Sequence, residues 1–308
     1  MAAAMVYQIF ASTGLVSLGL FHLVATTWHH LKSPQSYSAK PFHTIPFSSS
    51  SSSHRLKHLQ LYLLIAFLVV ALAHQTLISY DSDPLLKGRT PVHRFTSLQN
   101  AAVLFLFLVL SLALLLSECL PSLLPLPNDL FFALGAALFY LHSSVSSSAA
   151  SVQTSQLQAK CDSISARISL FCSLLSLLLA CQPRLFVADS ALAAALCLQG
   201  LWVLQTGLSL YVDAFIPEGC HRLLDVVNGV EGSTKCDLED SSLRAVAILD
   251  LLFLLHVMFV MLLVMVVYAV VAKTVGVGVR RLGSYEALPN SSLDHNHIQM
   301  KSLTGTQA

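Results

Sequence analysis

Seven apolar stretches, each long enough to cross a bilayer, constrain this chain more than any other feature. They run over residues 6–27, 59–79, 95–117, 130–147, 164–181, 185–212 and 243–272. A hydrocarbon core of about 30 Å takes roughly 20 helical residues. In lipid the backbone must satisfy its own hydrogen bonds, so each stretch is predicted to be a helix. The third and seventh are apolar on every side, as lipid-embedded helices are. The fifth is the weakest, because its clean apolar run covers only 168–181. Arg167 precedes that run, and its side chain has to reach back toward the headgroups. The predicted fold class is all-α, a polytopic membrane protein built as a bundle of seven transmembrane helices over 1–275. Residues 276–308 read as a disordered cytosolic tail.

Composition excludes the alternatives. The hydrophobic set makes up 55% of the chain and charged residues only 11%, against about 25% charged in soluble domains. A formal charge of +1 leaves no basic excess for nucleic acid. A soluble globular enzyme and a disordered chain are excluded with it. The breaks between spans are written in proline: Pro34, Pro41 and Pro46, then Pro84 and Pro91, then Pro121, Pro125 and Pro127, then Pro183. Proline has no amide donor and cannot continue a helix cheaply. The N-terminal apolar stretch is too long for the core of a signal peptide and reads as the first span.

An odd number of spans puts the two termini on opposite sides. Lysine and arginine are nearly balanced between the two sets of loops, so the positive-inside rule votes weakly. The first loop and the tail are the most basic short segments, which places the C-terminus in the cytosol of a plasma-membrane or endomembrane protein. Cys220 and Cys236 share one loop on the opposite side and can form a disulfide there; free thiols are the equal alternative. The sequon at Asn290 would then stay unmodified. In the tail, Tyr285 and Leu288 make a Tyr-x-x-apolar sorting motif, a contact for a coat adaptor. The histidines of the first loop, His29, His30, His43, His54 and His58, sit in a Ser- and Pro-rich stretch that reads as a solvated linker.

Ionisable groups inside spans are costly and are functional candidates by default. The set here is His22, His74, His142, Asp250 and His256, with Gln99, Asn100, Gln199 and Gln205 as neutral partners. At 1.5 Å per residue, His74, His142, Gln205 and Asp250 fall about 8–12 Å below the outer surface. His256 and Gln199 fall near the midplane, and His22 near the cytosolic face. Two readings stay open. These residues form a polar core that takes a proton, a small ligand or a metal, with zinc the natural ion for imidazole and carboxylate. Alternatively they hydrogen-bond between helices and fix the bundle. No single helix carries metal-ligand spacing, and no nucleophile–base signature is present, so no catalytic residue is assigned and no cofactor expected. In span six, Gly200 and Gly207 lie on one stripe and permit close helix approach.

Several of these segments resemble one known family. LQGLWVLQTGLSLY in span six, FFALGAALFYLH ending at His142, LDLLFLLH with Asp250 and His256, and GLVSLGLFH ending at His22 are similar to the transmembrane protein 45 family. The Lys160–Cys161–Asp162 triplet and the Ser-rich loop are similar to its plant branch. The resemblance implies a multi-pass protein with seven spans, no assigned biochemical function, and an association with stress or defence. The expected function is a non-enzymatic membrane protein of trafficking, stress or defence, surrounded by lipids and able to form a homo-oligomer. The alternatives are an intramembrane metal-dependent hydrolase using His74, His142, His256 and Asp250, and a small-solute or proton transporter. A seven-span receptor is disfavoured, because no receptor signature is present.

Overall fold

The computed structural model describes residues 2–43, 58–78, 92–153, 155–225 and 230–276. Seven long helices appear among them: α1 (Ala2–Lys32), α2 (Leu59–Ile78), α3 (Val92–Cys119), α4 (Asn128–Val152), α5 (Gln156–Cys181), α6 (Phe186–Tyr211) and α7 (Glu239–Val275). All seven are long and apolar enough to cross a membrane. A hairpin of β1 (Cys220–Asp225) and β2 (Val230–Cys236) joins α6 to α7. It is a small extramembrane addition to the all-α bundle. Tyr285, Leu288 and the rest of the tail lie outside the described residues, as does His54.

α1, α3, α4, α5 and α7 run further than the apolar stretches that announce them. α5 starts at Gln156, well before its apolar run, because the Ser155 hydroxyl accepts from the Gln158 amide at 3.4 Å and caps the first turn. No helix breaker intervenes, so a span with a short apolar core is still a full-length helix. α7 starts at Glu239 with no side-chain cap, its first turn carrying Glu239 and Asp240 where the helix dipole favours negative charge, and it ends where Gly276 takes a left-handed conformation, φ 73°. Pro127 sets the extended residue before α4.

Six helices close a ring. Each of α1 through α6 packs on its sequence neighbour, and α6 returns to α1. α1 with α6, and α4 with α5, form the most extensive interfaces. α7 lies outside the ring, against α1, α5 and α6. Its outward face of Leu251, Leu254, Met258, Met261, Leu262 and Met265 is exposed, as the lipid-facing side of a span would be. The α1–α6 contact needs small residues. A Cβ on Gly19 would sit 2.8 Å from the Ala193 carbonyl oxygen and the Cys197 amide, and one on Gly200 would sit 2.9 Å from the Val16 amide. The stripe through Gly200 and Gly207 is thus where α6 meets α1 at backbone distance.

Candidate functional site

The ring encloses a cavity of about 710 Å³, lined by residues from all six of its helices. Leu and Phe are the commonest wall residues, and polar side chains come from all six helices. On α5, Asp162, Ser165, Ser169 and Ser176 line the cavity at spacings of three, four and seven, along one face. His142 of α4 and Gln199 of α6 join this row. His142 Nδ1 lies 2.8 Å from Ser169 Oγ. That hydroxyl already donates to the Ser165 carbonyl at 3.0 Å, so the imidazole is the donor of the pair. Gln199 Nε2 donates to Ser165 Oγ at 2.6 Å. Its other amide atom, Oε1, is buried and has no partner. A buried amide oxygen without a partner costs about 1–3 kcal/mol.

At one end of the chamber, His22 leads to a buried carboxylate. Asp189 sits in the first turn of α6 with 0% exposure, where the helix dipole favours a negative charge. Its Oδ1 accepts from His22 Nε2 at 2.7 Å. Its Oδ2 accepts from the Tyr37 hydroxyl at 2.5 Å and from Thr26 Oγ1 at 3.4 Å. His43 Nε2 is 3.5 Å from that same Thr26 oxygen, and the His43 ring lies 5.3 Å from His22 and 4.9 Å from His29. Burial and the neighbouring Asp189 carboxylate raise the Tyr37 phenol well above its ordinary value. Burial, then the adjacent His22, push His43 down to about 3, so its ring is neutral at pH 7. Nε2 or Nδ1 of His22 and His43 and a carboxylate oxygen of Asp189 all lie within 4.8 Å of one another. His22 also lines the cavity, so the network borders it.

This end corrects the reading of the first loop as solvated linker. Residues 33–43 fold back over the bundle and bury Tyr37, Ala39, Phe42 and His43. The Ala39 amide donates to the Pro183 carbonyl at 2.7 Å, tying this segment to the turn between α5 and α6. The aromatic anchors and the carboxylate beneath them outweigh a composition that looks like linker.

The residues singled out in the sequence fall in separate places. His142 and Gln199 meet through the α5 serines at the cavity wall. His74 stacks on Tyr7, with ring centroids 3.7 Å apart. Gln205 is buried and donates to Ser209 within its own helix at 2.9 Å. His256 lies 2.7 Å from the Leu252 carbonyl and edge-on to Trp202. Asp250 accepts from Lys160 at 2.7 Å and is about half exposed. Lys160 lies in the first turn and a half of α5, whose cap residue Ser155 donates to the Thr234 carbonyl of the hairpin at 2.5 Å. The Asp250 pair therefore lies toward the hairpin end of the bundle. A disulfide joins Cys220 to Cys236 across the hairpin.

Asp189, Tyr37 and Thr26 were missed by sequence reasoning, and His43 was assigned to solvent. A signal for Asp189 was present: it is a carboxylate inside the sixth apolar stretch. Its place near the start of that stretch made it look like an end charge. No curated protein matches the chain. Residues 128–269, which hold α4 to α6, the hairpin and most of α7, match a family of unknown function, DUF716.

Proposed function

We propose that this chain is a multi-pass membrane protein of the transmembrane protein 45 type that holds one small amphiphile inside the bilayer. The carrying observation is the six-helix chamber, with Gln199 and His142 among the polar groups of its largely apolar wall. Ligand pockets run to about 300–1,000 Å³ and pair an apolar lining with a few placed polar groups. A lipid-like molecule fits that pattern, its apolar body against the Leu and Phe side chains and its polar group beside Gln199 and His142. The match of residues 128–269 and the motifs ending at His22 support the family reading. A trafficking, stress or defence role is the setting that resemblance brings. The disulfide hairpin belongs in an oxidising compartment, which supports a lumenal or external N-terminus and a cytosolic C-terminus.

Native mass spectrometry of the full chain, released from a mild detergent, tests the binding. The expected result is one retained amphiphile per chain. Gly135 lies on the cavity wall, and a Cβ there meets nothing within 4 Å. Gly135→Phe should therefore intrude on the chamber and lower the retained adduct while the protein stays monodisperse. A wild-type chain that carries no adduct overturns the proposal.

A further inference from the structure

We propose that His22, His43 and Asp189 form a zinc-binding site at the end of the chamber where α1, the 33–43 segment and α6 meet. The proposal goes beyond the amphiphile reading and does not depend on it. Each of the three structural elements contributes one ligand. Two imidazoles and one carboxylate with a fourth position open is a set that zinc takes in proteins. Zinc holds such ligands at 2.0–2.2 Å, which places neighbouring ligand atoms about 3.3 Å apart in a tetrahedron. The present separations bracket that value: His22 Nε2 and Asp189 Oδ1 are 2.7 Å apart, and all three ligand atoms lie within 4.8 Å. Closing the widest pair from at most 4.8 Å to that value takes at most about 1.5 Å, shared between two side chains.

The outer shell is already built. Asp189 Oδ2 is occupied by Tyr37 and Thr26, which fixes the carboxylate and turns Oδ1 toward His22. Groups of this kind orient metal ligands and support their affinity. A plain hydrogen-bonded latch accounts for His22, Tyr37 and Thr26, because those three satisfy Asp189. It does not use the ring nitrogens of His43, whose ring packs on His22 and His29. That ring is buried, and its Nε2 meets Thr26 at 3.5 Å, the outer limit of a hydrogen bond. A second imidazole aimed at the same carboxylate is what a metal site requires and a latch does not. Binding replaces the His22–Asp189 hydrogen bond. His22 gives up the proton on Nε2, to solvent if the ring is an imidazolium or to its own Nδ1 if it is neutral. The ion takes the freed lone pair.

The test uses the full-length protein carrying an epitope tag without histidines, purified in detergent, loaded with zinc and freed of excess metal. Elemental analysis should find about one zinc per chain, and thermal unfolding should rise with zinc and fall with a chelator. His22→Gln, His43→Gln and Asp189→Asn should each lower retained zinc about tenfold or more and abolish the thermal response. His256→Gln, away from the site, should keep both. Asp189→Asn can fail to fold, so His43→Gln is the deciding variant: a latch does not need it and the metal site does. Gly135→Phe should lower the retained amphiphile and keep zinc, so the two proposals fail separately. A folded wild-type chain that retains no zinc overturns this one, and so does zinc retained at full occupancy by His43→Gln.

Discussion

Two aspartates in apolar helices have opposite surroundings. Asp250 shares its charge with Lys160 at the rim of the bundle, where both are reached by solvent or headgroups. Exposed pairs of this kind contribute about 0–1 kcal/mol. Asp189 is fully buried and takes three donors. Removing one partner of a buried charged network costs about 3–5 kcal/mol. Asp189→Asn should therefore lower the unfolding temperature sharply, and Asp250→Asn should leave it nearly unchanged. Fluorescence-monitored melting of the two purified variants measures the contrast, and equal shifts would contradict the assignment. Tyr37→Phe should fall between them, because one hydrogen bond to a carboxylate contributes about 1.5–3 kcal/mol. Of this site the sequence announced one member. His22 stood out as an ionisable residue in a span, but its partners lie 167 and 21 positions away, and only folding brings them together.

Among elements, α1 and α6 depend on each other most. Their backbones approach at Gly19 and Gly200, where any side chain would press on main-chain atoms that cannot rotate away. Overpacking a tight contact costs about 1–3 kcal/mol or more. Gly200→Val should broaden or abolish the monodisperse peak in detergent chromatography, while Gly135→Ala, which meets open space, should leave it intact. A Gly200→Val protein as well behaved as wild type would refute the packing account. The elements themselves were the most legible part of the chain, because apolar length alone announces a helix in lipid. Their ends were less so. The Ser155 cap and the acidic first turn of α7 lie outside the apolar runs, and hydropathy does not see them. The first loop was least legible, since a few buried aromatics decide its path against a composition rich in serine and proline.

For the whole molecule, an odd number of crossings separates the hairpin from the His22–Asp189 end. The hairpin should then be disulfide-bonded in an oxidising compartment, with the C-terminal tail in the cytosol and Asn290 free of glycan. Protease applied to sealed vesicles should remove a C-terminal tag from the cytosolic side only, and glycan on Asn290 would reverse the orientation. The chamber is the feature that the ring exists to enclose, and it was invisible in the sequence, since its polar row joins α4, α5 and α6 across 27 and 34 positions. The most direct measurement is an electron-microscopy density map of the full chain in lipid nanodiscs. Ordered density for one bound molecule inside the six-helix ring, touching Gln199, is the predicted result. A ring collapsed onto itself, with Gln199 Oε1 bonded to protein and no space within, would contradict the account.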